Sequence, residues 1–531
     1  MKQVILYFFI IVAAIFASYF LYIKFIAEPI HNQNTPEQPN IVLILGDDIG
    51  YSDISPYGSE IKTPNLDRLA DEGIRFARFY NMSKCEPSRS SLFTGLYEGG
   101  KRSLNFAQIL KDNGYYTIHS GKEHWMNWAP EHVFAKNVFD QSLTFRAMSE
   151  FFAPPSGEFV NPFILNGDTI PWNQVYHEKK PFYKTDALTD NALRWLEKPV
   201  STNQPFFLFL GYGAAHYPLQ AHPEDIQKYR GTYNKGWDKI REERIERLKK
   251  MGLVAESTTL SPPSPNINKF RGHPKGDEDR RELIPLYRKW ESIDEKEQDE
   301  LDLEMAVFAA MVDRMDQNIG RVLDYLDKND IAKNTIVIYL SDNGSCPYDS
   351  NHDFENPPGV AEGFRTLCAA WANAGNTPFR YFKQYGHEGG AQTHFILRWP
   401  NIVKPGTITH QQGHIVDIAP TLLEAANVSY PEKSGDFQPQ PLQGSSLLPV
   451  LNGEEREEPD FYLSGWTERF RMFRQNDWKI VNLNGEGWEL YNLKEDPTEI
   501  NNLAKTHPEK VAELVQSYQS EKEELKKQAG N

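Results

Sequence analysis

Three stretches of the chain are apolar without interruption: Ile41-Val42-Leu43-Ile44-Leu45, Phe206-Phe207-Leu208-Phe209-Leu210 and Thr335-Ile336-Val337-Ile338-Tyr339-Leu340. Successive strand residues point to opposite faces, so a strand with one wet face alternates apolar with polar. A short run with no polar partner suits a strand covered on both faces. Between these runs the apolar spacing changes to three and four. Residues 63–73 carry Leu66, Leu69 and Ala70 and stop at Gly73, and residues 304–327 carry Met305, Phe308, Met311, Met315, Ile319, Val322 and Leu326. Both spacings predict helices with one buried face. Strands alternating with helices predict an α/β fold, a sheet layered between helices.

Other segments break this rhythm. Residues 4–23 hold no charge and are flanked by Lys2 and Lys24. As a helix they would be ~30 Å long, enough to cross a bilayer core. No small-x-small cleavage site and no lipobox cysteine follows. An uncleaved signal anchor over residues 1–25 is the expectation, with a cleaved secretory peptide as the alternative. Residues 26–39 read as a polar linker and 40–430 as the main body. Within that body, 224–300 is a charged insertion whose Arg241–Lys250 stretch is expected to be a solvated helical face. Residues 431–457 are rich in Pro, Gln and Gly. Short aromatic runs with turn signals over 460–491, then an acidic helical pattern over 508–528, predict a small antiparallel sheet with a terminal helix, an α+β subdomain over 431–531.

The chain has 531 residues and is 40% hydrophobic, enough for a large core and for more than one domain. Its formal charge of −16 excludes nucleic acid and anionic lipid surfaces as partners, because both select basic protein surface. Three cysteines allow at most one bridge; Cys346 with Cys368 would leave Cys85 unpaired.

In open α/β sheets ligands bind beyond the carboxyl ends of strands. Asp47-Asp48 directly follows the first apolar run, Asp342-Asn343-Gly344 follows the third, and His216 lies six residues past the second. Hard oxygen donors from two strand ends are what Ca²⁺ or Mg²⁺ takes. The densest motif is Cys85-Glu86-Pro87-Ser88-Arg89-Ser90-Ser91-Leu92-Phe93-Thr94-Gly95. A thiol beside an arginine is a candidate nucleophile, because a nearby cation favours thiolate. Simple thiol chemistry, however, leaves Pro87, Ser88 and the Leu-x-Thr-Gly tail unexplained.

This stretch resembles the sulfatase signature C-x-P-S-R-x-x-L-x-T-G at every fixed position. Further segments resemble the family in order: Gly121-Lys122-Glu123-His124, Ala214-Ala215-His216-Tyr217-Pro218 (with Ala215 where proline is frequent), and Lys383 ahead of His387-Glu388-Gly389-Gly390. Tyr229-Arg230-Gly231 and residues 311–316 look most like bacterial arylsulfatases. The resemblance implies an alkaline-phosphatase-like fold with a large mixed, mostly parallel sheet. It implies that Cys85 is oxidised by a formylglycine-generating enzyme. Asp47, Asp48, Asp342, Asn343 and residue 85 would bind a divalent cation, usually calcium with magnesium the alternative. Arg89, Lys122, His124, His216 and Lys383 would serve catalysis. The implied substrate is a sulfate monoester, an aryl sulfate or a sulfated sugar, cleaved by a membrane-anchored enzyme whose body is periplasmic or extracellular. Rival expectations are a phosphonate monoester or phosphodiester hydrolase of the same superfamily, and a non-catalytic membrane-anchored binding protein. His119, His132, His387, His394 and His414 are left as structural.

Overall fold

The three apolar runs become neighbouring strands at the centre of one sheet. β1 (Asn40–Gly46) lies between β7 (Phe206–Gly211) and β8 (Thr335–Ser341), parallel to both, with Ile41 opposite Phe207 on one side and Ile336 on the other. Every β1 residue is buried. Val42 and Ile44 face one apolar layer with Leu208, Leu210, Val337 and Tyr339. Ile41, Leu43 and Leu45 face the other with Phe207, Phe209, Ile338 and Leu340. Two-sided burial therefore explains the missing alternation. The structure is a computed structural model. It describes residues 38–529 apart from 98, 100–101, 126–137, 148–149, 154–156, 158, 160, 176–180, 265–287, 349–354, 464–469, 484 and 486. The expected anchor, most of the linker and His132 lie outside the described residues. Among the described residues no helix is long and apolar enough to cross a membrane.

The sheet has ten strands in the order β10-β2-β9-β8-β1-β7-β3-β4-β5-β6. These include β2 (Ile74–Tyr80), β3 (Tyr116–Lys122), β4 (Gln141–Phe145), β5 (Phe163–Leu165), β6 (Asp168–Ile170), β9 (Gln392–Arg398) and β10 (Thr407–His414). The block from β8 to β4 is parallel, while β9 runs antiparallel to both β8 and β2, so the sheet is mixed and mostly parallel. On one face pack α1 (Pro64–Asp71), α3 (Lys184–Ser201) and α5 (Glu295–Lys328), through residues such as Leu66, Leu188 and Met311. On the other pack α2 (Cys85–Thr94) and α7 (Ile418–Ala425), through Phe93 and Leu422. The long helix α5 starts nine residues before its apolar pattern does, capped by the Asp294 carboxylate, which accepts from the Glu297 N–H.

The insertion departs from expectation. Its helix α4 (Gly236–Met251) is not merely a charged solvated face. Arg244 is fully buried and donates from Nη1 to Asp53 Oδ1 (2.7 Å) and from Nη2 to Glu60 Oε1 (2.7 Å). Trp237 packs edge-on against Trp290 and Trp371, the latter from α6 (Ala369–Gly375). Charge density alone does not reveal which arginine of such a run turns inward to meet acids far away in sequence. Cys346 and Cys368 are thiols, so the bridge that the cysteine count allows is not formed.

The C-terminal chain forms a four-stranded antiparallel sheet, β11 (Phe461–Leu463), β12 (Phe470–Gln475), β13 (Trp478–Leu483) and β14 (Trp488–Asn492), followed by α8 (Pro508–Ala529). Met472, Ile480, Leu490, Leu514 and Tyr518 share an apolar cluster with Phe395 and Leu397 of the main sheet. The seam is also ionic. Lys479 on β13 lies 2.6 Å from Glu388 Oε1 and 2.8 Å from Glu499 Oε1, and the Glu388 N–H donates to Glu499 Oε2 (2.7 Å). Arg380 donates to Tyr491 OH (2.7 Å), and His387 Nε2 meets Glu489 Oε2 at 2.8 Å. All these tie the segment 380–388 to the small sheet.

Two predictions follow from this packing. Arg244→Met leaves Asp53 and Glu60 buried without their cation and should cost roughly 3–5 kcal/mol, read as a lowered urea midpoint. An unchanged midpoint would show that the two acids relax to solvent. Second, burial holds His119, His394 and His414 neutral, each pushed from its ordinary 6.5 to about 3. Below pH 6.5 the unfolded chain takes up protons that the folded chain refuses, so stability should fall as pH drops from 6.5 towards 3. His394→Phe should flatten that slope; an unaltered slope would assign the acid sensitivity to other groups.

Candidate active site

Strand register brings the candidate groups together. Gly46 of β1 pairs with Ser341 of β8, so Asp47-Asp48 and Asp342-Asn343 leave adjacent strands side by side. Lys122 is the last residue of β3, and His216 follows β7 on the other flank. Gly121 of β3 pairs with Gly211 of β7, and at φ +139 a Cβ there would sit 2.0 Å from the Gly211 carbonyl oxygen. Only glycine permits that approach, which lets Lys122 enter the site from the neighbouring strand. Cys85 is the first residue of α2, and its signature winds as that helix, so Arg89 lies one turn on and points to the same place.

The result is a buried lattice of alternating charge. Arg89, wholly buried, donates from Nε to Asp342 Oδ2 (2.9 Å), and its Nη2 lies 2.9 Å from that oxygen and 3.9 Å from Asp47 Oδ1 as an ion pair. The Lys122 ammonium sits 2.6 Å from Asp47 Oδ2 and the Lys383 ammonium 2.5 Å from Asp48 Oδ1. Asn343 Nδ2 also donates to Asp48 Oδ1 (2.8 Å). Burial alone would raise all three acids. For Asp47 that is overcome chiefly by Lys122, with His216 and Arg89, and its carboxyl stays well below the ordinary range. For Asp48 the lowering comes chiefly from Lys383. Asp342 is the exception: burial, reinforced by Asp47, pushes it up to about 7 against the pull of Arg89.

The donor set fits a hard divalent cation. One donor atom from each of Asp47, Asp48, Cys85 and Asp342 falls within 4.8 Å of all the others. Asp47 Oδ1, Asp48 Oδ2 and Asn343 Oδ1 are buried and accept no hydrogen bond. Buried carboxylate and amide oxygens left without donors are what a Ca²⁺ or Mg²⁺ ion satisfies. Cys85 itself is a poor thiolate. Burial pushes its thiol up to about 12, although Lys122 and Lys383 pull the other way. The reading of a cation-activated thiol therefore loses support in this unmodified form.

The two histidines meet different acids of the site. His216 lies beside Asp48, with Nε2 3.5 Å from Oδ2, and its Nδ1 is 2.7 Å from the Tyr217 carbonyl oxygen. That carbonyl can only accept, so Nδ1 carries the hydrogen and Nε2 faces the site. Burial pushes His216 down to about 3. His124 lies at the α2 end, with Nε2 3.2 Å from Glu86 Oε1 and Nδ1 buried without a hydrogen-bond partner. Burial pushes it to about 4. All ten sequence-derived site residues thus belong to one neighbourhood, His124 through Glu86 and the rest through direct contacts of the charged cluster.

Sequence reading missed several neighbours. Glu86 occupies the variable place of the signature and pairs with His124 and, at 3.2 Å, with Lys84. Tyr348 holds its ring 5.4 Å from the Lys383 ammonium. Neither could have been found by periodicity, since both act from loop or helix-end positions. Among the histidines left as structural, His119 packs against Phe139 and Phe209, and His394 stacks on Tyr339 with 5.1 Å between ring centroids.

Comparison with known proteins agrees with this geometry. Residues 39–428 match the family model described as Sulfatase, and residues 378–528 match one described as N-sulphoglucosamine sulphohydrolase, C-terminal. The chain is 32% identical over 543 residues to an uncharacterised sulfatase of Schizosaccharomyces pombe, covering 92% of this chain and 94% of that protein. It is 31% identical over 463 residues to an arylsulfatase of Klebsiella aerogenes, covering 79% and 93%. A solved structure in complex with its substrate D-glucosamine-2-N,6-O-disulfate superposes with a TM-score of 0.60 at 22% identity, covering 92% of this chain and 98% of that one. With its signature helix, its strand-end acids and this extent of similarity, the chain belongs to the sulfatase family and is a hydrolase of sulfuric esters.

Proposed function

We propose that the protein is an arylsulfatase-type hydrolase of sulfate monoesters whose nucleophile is a formylglycine made from Cys85 by a formylglycine-generating enzyme. The observation that carries this is the placement of Cys85: buried at a helix N-terminus, inside a ring of carboxylates, and flanked by Lys122 and Lys383. A divalent cation held by Asp47, Asp48, Asp342, Asn343 and residue 85, calcium or magnesium by the hardness of those donors and calcium by the resemblance to sulfatases, would supply positive charge to the sulfate oxygens. A substrate that is itself an anion meets a chain of net charge −16. Local cations must therefore do the attracting, and Arg89, Lys122 and Lys383 are preorganised where negative charge accumulates on the sulfate.

The remaining steps use the chain's own groups. The hydrated aldehyde of residue 85 presents two hydroxyls on one carbon. One oxygen bonds to sulfur while the bond from sulfur to the ester oxygen breaks. His216, whose Nδ1–H is held by the Tyr217 carbonyl, takes on its free Nε2 the proton that the attacking hydroxyl releases and, with Lys383, passes it to the departing oxygen. The second hydroxyl then gives its proton to His124. Glu86 accepts from His124 Nε2–H and leaves Nδ1 as the base. The carbon–oxygen bond to sulfate breaks, and the aldehyde is restored. A serine in this place would be left as a stable sulfate ester; two hydroxyls on one carbon provide the exit.

The same reading has residues 40–430 as catalytic body and 431–531 as a C-terminal α+β subdomain. Residues 1–25 anchor the enzyme with its body in the periplasm or outside the cell. What supports the anchor is the uncharged run of residues 4–23.

The peptide spanning Cys85, taken from protein made in its own host, should have the mass of formylglycine, and Cys85→Ala should abolish sulfate ester turnover while leaving the unfolding midpoint in place. Turnover retained in Cys85→Ala would sink the assignment. Dialysis against a chelator should remove both activity and a bound divalent ion, with activity restored by Ca²⁺. Asp47→Asn together with Asp342→Asn should prevent that binding, measured by calorimetric titration of the metal; normal binding to the double variant would move the cation elsewhere.

A further inference from the structure

His216 sits on a loop that is anchored on both sides, and the far anchor is a buried amide. The near anchor is a tight turn. The His216 N–H donates to the Gly213 carbonyl (2.9 Å), and the Ala214 carbonyl accepts from the Asp47 N–H (2.9 Å). Beyond the histidine the chain reaches Gln220, which is 1% exposed. There the backbone forms a short parallel bridge to Gly359. The Ala221 N–H donates to the Gly359 carbonyl (3.2 Å), the Gly359 N–H to the Leu219 carbonyl (3.1 Å), and the Leu219 N–H to the Arg365 carbonyl (2.9 Å). The Gln220 carbonyl accepts from the Tyr183 hydroxyl (2.9 Å). The side chain adds further ties. Its Oε1 accepts from the Phe151 N–H (2.8 Å), and its Nε2 donates to the carbonyls of Ala361 (3.0 Å) and Gly363 (3.3 Å). One residue thus joins the chain after β4, the loop after β7 and the segment ahead of α6.

A buried amide is costly unless its oxygen and nitrogen are both satisfied, and here both are. Its partners are loop backbone groups, which have no strand or helix ladder of their own to fix them. Directional bonds hold such loops in one arrangement where apolar packing would leave them freer to shift. The stretch so fixed includes the Tyr217 carbonyl, the group that holds His216 Nδ1–H. We propose that Gln220 is a positioning residue for His216, holding the imidazole in the orientation that passes a proton to the departing oxygen. The inference rests on the role given to His216 above. A misplaced proton donor matters most where the departing oxygen is most basic. Phenol leaves as a strongly basic oxygen, whereas 4-nitrophenolate is stable without a proton. Lost positioning should therefore be graded by leaving group, while a general loosening of the fold slows both esters alike.

The test measures kcat/KM for phenyl sulfate and 4-nitrophenyl sulfate on the full chain, with the formylglycine content of each preparation determined by peptide mass. His216→Ala should lower the value for phenyl sulfate by about 100-fold or more and for the nitro ester by about ten-fold or less. Gln220→Leu should cost about ten- to thirty-fold on phenyl sulfate and less than about three-fold on the nitro ester. Gln220→Asn keeps both ends of the amide one methylene short; it should show the same graded loss and carries the test if the leucine variant does not fold. In a His216→Ala background, Gln220→Leu should add less than about two-fold on either ester. Equal losses on both esters in the Gln220 variants, or a loss that persists in full without His216, would overturn the positioning role. Equal losses on both esters in His216→Ala alone would remove the proton transfer from His216 and the inference with it.

Discussion

Everything in this site depends on holding three carboxylates together out of water. Asp47, Asp48 and Asp342 leave neighbouring strands within a few ångströms of each other, where burial and mutual repulsion both oppose their ionisation. Three cations from three other elements answer them: Arg89 from the signature helix, Lys122 from the end of β3, Lys383 from the loop before residue 388. None of these pairs would be an economical way to stabilise a fold, since buried ions lose their hydration and regain only part of it from a partner. They make sense as a preset field. The oxygens left without donors and the cations left partly shared are what a sulfate and its metal would complete.

This charge balance explains why the fold is organised around the sheet's carboxyl edge. The two-sided burial of β1, β7 and β8 makes their positions rigid, and rigidity at the strand ends is passed to the first polar residue beyond each. Gly121 shows how little slack exists, because a single methyl there would collide with the Gly211 carbonyl.

Much of this was legible in the sequence, for identifiable reasons. Continuous apolar runs occur where a strand is buried on both faces, so β1, β7 and β8 stood out, and the acids at their ends marked the site before any geometry was known. β2, β3 and β9 did not stand out, because they carry Arg75, Arg78, His119, His394 and Gln392 among their apolar residues. Those polar groups are accommodated by partners distant in sequence, as His394 is by Tyr339. The same holds for Arg244, whose acids lie nearly two hundred residues away and whose burial no local pattern announces. Glu86 and Tyr348 belong to the site by proximity alone. Residue type at fixed spacing reveals chemistry that a motif demands; it is silent on groups recruited by the fold.

The seam between the large and small sheets carries a consequence in time rather than space. Lys383 is positioned by a segment that is itself gripped by Tyr491, Glu489, Lys479 and Glu499. These residues are among the last of the chain to leave the ribosome, whereas Cys85 is among the first. Until β13 and β14 exist, the segment bearing Lys383 lacks these ties and is held only by earlier parts of the chain, such as Ser83, Ser264 and Ser345. The proposed conversion of residue 85 would accordingly have its opportunity in the interval between the synthesis of α2 and the docking of the small sheet, before the segment bearing Lys383 takes its last ties.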